Sequence, residues 1–388
     1  MIKDLYLRLC MCGVFTAVMD SPLLIALGDY CAATDPVSKN RAYGRFANVI
    51  YSSGMSLADL VAKLVFEDEN VYIRSHAHDR HIDPSVEAAT AHELSVFEEL
   101  ASLSSRDFAR DMGVDYVCPF DAKRIDLPAL YAERVRNIDK VGYGIFSSYP
   151  MFRLSDDRVI EPIVSADRTS VEKFVGYAEE RGRVMANTLA FIEGRPAANT
   201  LLCGDAGTGK SSTVKAVANH FFDRGVRLIE LRKDQLHHLP YVMGKVSENP
   251  LRFIIFIDDL AFNKSDDNFS MLKAALEGSA SAKADNAVIY ATSNRRHIIK
   301  ERFEDREGGD VHRNDTLQET LSLSERFGLV VLFQKPSKQL YLEIVHELAA
   351  RAGITMDASE LDIKAEAFAL RRGNRSARCA EHFIDSLL

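Results

Sequence analysis

The sequence predicts an α/β fold built on a five-stranded parallel sheet, with a mostly helical region before it and a small helical module after it. Three observations lead there. A strand, a glycine loop and a helix follow one another between residues 199 and 225. Four more short apolar runs come after that unit, separated by helical stretches, which is the alternation of a layered α/β domain. After Lys335-Pro336 the strand-like runs stop and helical periodicity alone remains.

At 388 residues the chain exceeds one ordinary core, so two or three domains are expected. We divide it into a mostly helical region over 1–160, an α/β domain over 161–335 and a helical lid over 336–388. With 47% hydrophobic and 27% charged residues the composition is that of a globular protein. A net charge of −8 argues against a wholly basic nucleic-acid coat and leaves local basic patches open. Cys10, Cys12, Cys31, Cys118, Cys203 and Cys379 show no zinc-like or disulfide-framework spacing, so a reducing cytosol is the simplest setting. The apolar stretch Leu9–Met19, with Lys3 and Arg8 ahead of it, has the look of a signal-peptide core. Asp4 and Asp20 flank it, however, no small-x-small site follows, and it is too short to span a bilayer. A buried helix is expected there.

In the first region Leu57, Leu60, Val61, Leu64 and Val65 keep helical spacing behind a Ser56 cap. A second helix is expected over about 85–103 behind Pro84, and a third over 127–138. His76, His78 and His81, with His92 beyond, do not share a helix face and no thiolate joins them, so a solvated loop is favoured over a metal site. From about Asp157 the pattern changes. Thr169 with Glu172 reads as a capping box, and Val171, Phe174, Val175 and Ala178 start a helix reaching towards Phe191.

The run Asn199–Cys203 suits a buried parallel strand. It leads into Gly204-Asp205-Ala206-Gly207-Thr208-Gly209-Lys210-Ser211-Ser212, which contains G-x-x-x-x-G-K-[ST]. Glycines let the backbone curl until successive amides surround a phosphate. Lys210 would set an ammonium against the β- and γ-phosphates, and the Ser211 hydroxyl would take one position on Mg²⁺. Val214, Val217, Ala218 and Phe221 continue as a helix closed by Gly225. Its N-terminus would lie beneath the phosphates, where the helix dipole favours anions.

The remaining strands are expected at Val226–Leu231, Phe253–Ile257, Ala287–Thr292 and Leu329–Phe333. The second of these ends in Asp258 and Asp259. In a phosphate-loop enzyme the first carboxylate would serve Mg²⁺ and the second would orient the attacking water. Asn294 follows the third, at the strand end where ligand-facing groups belong in an open α/β sheet. Arg295 and Arg296 fit a solvated or interface role as well as a catalytic one. Ser324-Glu-Arg326-Phe-Gly328 precedes the last strand, and Arg326 is placed to reach a neighbouring subunit's γ-phosphate, with Arg302 in Glu301-Arg302-Phe303 as its competitor. Between strands, Tyr241 and Gly244 form a weak pore-loop candidate that reads better as a surface turn. The lid holds one helix through Leu340–Leu348, ended by Gly353, then helices over 361–370 and 376–388. Gly373-Asn374-Arg375 opens the last, with Arg378 one turn on, and Arg375 would sense the γ-phosphate from the lid.

In this order the phosphate loop, Asp-Asp strand, Asn-ended strand, SERFG and Gly-x-Arg lid resemble the AAA+ ATPases. They are similar to that class's Walker A, Walker B, sensor 1, arginine finger and sensor 2 elements. More narrowly, FIIFIDDL, YATSNRRHII and LSLSERFGL resemble a bacterial family catalogued as a domain of unknown function, number eight-one-five, over about 161–388. The resemblance implies ATP and Mg²⁺ as ligands, an ATP-promoted homo-oligomer and an unknown protein or nucleic-acid partner. Many AAA+ proteins carry Glu where Asp259 stands. Asp is one methylene shorter, and an ångström-scale misplacement costs about a hundredfold in rate. Initiator-like and helicase-loader-like AAA+ proteins resemble the Asp-Asp form and include slow hydrolases. Three readings therefore stand: a remodelling ATPase, an ATP-controlled switch or loader, and a small-molecule kinase. The last is disfavoured by the C-terminal lid and by SERFG.

Overall fold

The computed structural model describes residues 1–165, 169–260, 284–294 and 326–388, with Leu272 and Leu276. The chain divides into two compact units, Met1–Ser148 and Tyr149–Leu388.

Among its described residues the first unit is helical throughout: α1 Ile2–Leu9, α2 Thr16–Met19, α3 Pro22–Ala32, α4 Pro36–Ser53, α5 Leu57–Glu67, α6 Val71–Ala77, α7 Pro84–Ala101, α8 Ser105–Met112, α9 Leu127–Arg136 and α10 Ile138–Val141. Ser56 caps α5, its hydroxyl accepting from the Asp59 amide at 3.1 Å. Pro84 stands inside the first turn of α7, where its missing N–H has no role to lose. The helix expected across 9–19 is broken instead. Its reason is the carboxylate of Glu93 on α7, buried to 5% exposure, which accepts from the amides of Gly13, Val14 and Phe15. Those three N–H groups are thereby satisfied outside a helix, so α1 stops at Leu9 and α2 starts afresh. Phe15, Phe46, Phe97 and Phe108 are fully buried in the core so formed. His76 lies on α6, edge-on to Tyr72 at 4.6 Å, and His78 to His81 follow it in a turn. Among the described residues no single helix is long and apolar enough to cross a membrane.

Among its described residues the second unit carries a mostly parallel sheet of seven strands: β1 Met151–Leu154, β2 Ile160–Pro162, β3 Thr200–Gly204, β4 Val226–Leu231, β5 Arg252–Ile257, β6 Ala287–Ser293 and β7 Leu329–Phe333. Their order is β2-β1-β4-β5-β6-β3-β7, and every pairing is parallel except β1 with β2. The expected count of five is corrected to seven. The five expected strands all form, and the additions are the short hairpin β1–β2, which docks β1 beside β4. That hairpin also places 151–160, as two strands and the turn between them, in the second unit. Its turn uses Arg158 at φ 62 rather than a glycine, and Ser155 N–H closes it on the Val159 carbonyl at 2.8 Å.

α11 Ala178–Ile192, α12 Lys210–His220 and α13 Leu239–Ser247 accompany the strands. The helix expected from Thr169 onward begins later than its capping pattern implied. Val171–Lys173 is a single 3-10 turn held by Ser170, and Gly176 and Tyr177 then adopt φ 72 and φ 52, which no right-handed helix admits. The Tyr177 hydroxyl donates to the Gln334 carbonyl at 2.6 Å and its ring packs 5.4 Å from Phe333, so the sheet holds this bend. Tyr241 and Gly244 sit on α13 and not on a turn, Pro240 opening that helix. The C-terminal helical module, the expected lid, comprises α14 Lys338–Arg351, α15 Ala358–Arg372 and α16 Ala377–Asp385, around Tyr341, Val345, Leu361, Ala365 and Phe383.

Candidate functional site

β3 runs between β6 and β7 and delivers the glycine loop at its C-terminal end. Gly204 makes this approach possible. At φ 141 it still pairs with Phe333, and a Cβ there would stand 1.9 Å from the Phe333 carbonyl oxygen. Thr208 closes the loop on itself, its hydroxyl donating to the Asp205 carbonyl at 2.9 Å. Gly209, at φ 87, is the residue before α12.

Lys210 opens α12 and is buried to 5% exposure. Its ammonium donates to the carbonyls of Gly204 (2.9 Å) and Asp205 (2.7 Å) and to Asn294 Oδ1 (2.9 Å). Burial lowers its pKa, while Cys203 and the carboxylates of Asp205, Asp258 and Asp259 act the other way. Cys203, the residue before Gly204 on β3, is buried, and that burial pushes its thiol up to about 12.

β5 supplies the acids. Ser211 Oγ donates to Asp258 Oδ1 at 2.6 Å, and Asn294 Nδ2 donates to Asp259 Oδ1 at 2.7 Å. Lys210, Ser211, Asp258, Asp259 and Asn294, from three different segments, thus meet at the C-terminal ends of β3, β5 and β6. Ser212 follows on α12, half-buried. Asp259 has φ 54, a conformation L residues seldom adopt and one that collects at functional sites. A residue that the sequence reading passed over joins them. Thr292 on β6 is 2% exposed, accepts from the Asp259 amide at 2.9 Å and donates to Asp258 Oδ1 at 2.6 Å. The available signal was period two, since 292 and 294 point to the same side of an extended chain.

The lid reaches the loop through α16 rather than through Arg375. The Arg378 amide donates to the Gly207 carbonyl at 3.3 Å, and a Cβ on Gly207 would lie 3.0 Å from Ser376 Oγ and 3.3 Å from Arg378 Cβ. Arg375 instead forms a bidentate pair with Glu366 on α15, at 2.9 and 2.7 Å, with Lys338 3.7 Å from the same carboxylate. This pair holds the Glu366 carboxyl below its usual range. Arg375, expected to turn towards the phosphate loop, thus has its guanidinium paired within the C-terminal helices.

Arg326 is half-buried and immediately precedes Phe327, Gly328 and β7. β7 pairs with β3 from Thr200↔Leu329 to Gly204↔Phe333, so Arg326 enters at the end of the sheet opposite the glycine loop. Arg295, Arg296 and Arg302 lie outside the described residues.

No curated protein matches the chain. Among solved structures it is similar to the Thermotoga maritima RuvB Holliday junction branch migration motor, over 56% of this chain and 72% of that one, at 12% identity and a TM-score of 0.34. A proline-to-glycine mutant of the same protein gives 13% identity over the same shares and a TM-score of 0.36. C. elegans PCH-2 is similar over 48% of this chain and 51% of its own, at 17% identity and a TM-score of 0.32. Likeness at this level says nothing of activity. The family described as "Protein of unknown function (DUF815)" matches residues 147–388, more than half of the chain. That match begins just ahead of β1 and takes in the glycine loop, both acids, Thr292, Asn294, Arg326 and the C-terminal helices, so the chain belongs to the DUF815 family.

Proposed function

We propose that the chain is an ATPase that binds Mg·ATP at residues 204–212 and hydrolyses it to ADP and phosphate to drive the remodelling of a macromolecule. The observation that carries this reading is the convergence of Lys210, Asn294 and Asp259 in one hydrogen-bonded line beside Ser211 and Asp258. Lys210 already directs its three N–H donors at three oxygens, and a phosphate offers oxygens of the same kind. The amides of the loop and of the first turn of α12 would face the same phosphate. The donor set fits Mg²⁺, a hard cation that favours hydroxyl, carboxylate and water oxygens: Ser211 Oγ and Asp258 would serve it. When bound, the ion neutralises charge on the β- and γ-phosphate oxygens. Asp259 and Asn294 would orient the attacking water. Arg326 would stabilise the γ-phosphate of a neighbouring subunit, which makes an ATP-promoted homo-oligomer part of the reading. Arg378 becomes a lid contact to the nucleotide beside, or in place of, Arg375.

One observation favours a second reading, a slowly hydrolysing switch or loader whose output is its binding state. Asp259 is one methylene shorter than the Glu many AAA+ proteins carry there, and a carboxylate set back by about an ångström suits holding ATP better than fast turnover.

Lys210→Ala tests the common core of both. Loss of charge-assisted hydrogen bonds, about 1.5–3 kcal/mol each, corresponds to at least about tenfold weaker ATP binding in a nucleotide titration. Undiminished affinity would remove the assignment.

A further inference from the structure

We infer that Thr292 is a positioning residue for both site carboxylates, fixing the turn Asp258-Asp259-Leu260 from the neighbouring strand. The inference rests on the nucleotide-site reading above and adds a residue to it.

β5 and β6 run parallel, paired from Phe253↔Ala287 to Ile257↔Ala291, so Thr292 is the next residue of β6 beside Asp258. It holds the turn by three bonds. Its hydroxyl accepts the Asp259 amide at 2.9 Å, the same hydroxyl donates to Asp258 Oδ1 at 2.6 Å, and its carbonyl accepts the Leu260 amide at 2.7 Å. Asp258 Oδ1 thereby collects Ser211 Oγ, Thr292 Oγ1 and, at 3.2 Å, the Asp259 amide. Three donors on one carboxylate oxygen fix the plane of the group and turn Oδ2 to the opposite side. The hydroxyl does what neither a pure donor nor a pure acceptor can, since it must do both at once.

The second consequence falls on Asp259. Its φ of 54 is a conformation the turn must enforce, and the amide bond to Thr292 is one of the restraints on it. Release of that restraint lets the backbone relax and swings the carboxylate away from Asn294. Thr is suited to the post in another way. It is 2% exposed and β-branched, so its χ1 is stiff and its hydroxyl stays aimed.

The test compares Thr292→Val, which keeps the shape and removes the hydroxyl, with Thr292→Ser, which keeps the hydroxyl. Thermal melts establish that both are folded. ATP affinity measured without Mg²⁺ should stay within about threefold of wild type for both, because Lys210 and the loop are untouched. Thr292→Val should lower kcat by about ten- to a hundredfold, the scale of an ångström of misplacement, and should require about tenfold more Mg²⁺ for half-maximal nucleotide binding, while Thr292→Ser restores both to near wild type. If turnover is too slow to compare, the Mg²⁺ requirement decides alone. Wild-type kcat and Mg²⁺ requirement in Thr292→Val, or equal losses in both variants, would overturn the inference. A wild-type protein that binds no ATP would instead remove the reading beneath it, and the inference with it.

Discussion

If Arg326 acts as proposed, no single chain contains a complete site, and the structure says how far it is from doing so. The register of β3 with β7 separates Leu329 from the row of Gly204 and Phe333 by four residues. At about 3.3 Å per residue that is roughly 13 Å of strand. Arg326 lies before the strand begins and the loop lies beyond where it ends. An arginine cannot bridge that span to its own loop, so a role in catalysis requires a second copy. Arg326→Ala should bind ATP like wild type, and its turnover should fall by about 10³- to 10⁵-fold, the range for such fingers. The assay mixes Arg326→Ala, whose pocket is intact, with Lys210→Ala, whose arginine is intact, and follows phosphate release. In an equal, randomly assembled mixture about a quarter of head-to-tail interfaces join an intact pocket to an intact arginine. Activity near a quarter of wild type should therefore appear from two inactive proteins. No recovery at any ratio, with light scattering showing mixed oligomers, would refute the reasoning and leave Arg326 a structural residue.

Asp259→Asn should keep Mg·ATP binding and abolish hydrolysis, whereas Asp258→Asn should chiefly raise the Mg²⁺ needed for binding; the opposite pattern, read by titration and phosphate release, would show the two roles reversed. Glu366→Gln bears on the lid. The paired Glu366 carboxyl has a folded pKa below its unfolded value, so it contributes stability above the unfolded pKa that is lost as pH falls through the folded one. Wild type should thus lose more Tm than Glu366→Gln between pH 7 and pH values below the usual carboxylate range. The same variant frees Arg375, so tighter ATP binding would mark Arg375 as a nucleotide ligand and unchanged binding would mark it as a lid residue.

The parts of the fold that were legible in the sequence are those whose own residues fix them. β4 and β5 are buried along almost their whole length, and parallel strands covered on both faces must be apolar throughout. The glycine loop is legible for a similar reason, because Gly204 and Gly209 occupy backbone conformations that leave few substitutes. What escaped was decided by a distant partner. The break at residues 10–15 exists because Glu93, some eighty residues later, offers a carboxylate to the amides of Gly13, Val14 and Phe15. The three-residue β2 is too short to show a period, and β1 carries only four residues.

The lid arginines show how narrow the margin is. Arg375 and Arg378 are three residues apart, and a basic run beginning at Arg371 gives no sign of which one comes to the glycine loop. Ser376 divides them. Its hydroxyl accepts from the Cys379 amide at 3.1 Å and makes it the cap of α16. Arg378 then falls in the first turn of that helix, with its amide on Gly207, while Arg375 stays outside and folds back to Glu366. A Ser-x-Arg following a Gly-x-Arg thus offers two arginines, and the helix cap between them brings the backbone of the second to the loop. Had the cap stood at Asn374, the first turn would have carried Arg375 instead. Which arginine meets the loop is therefore a property of the helix start, and one hydroxyl sets it.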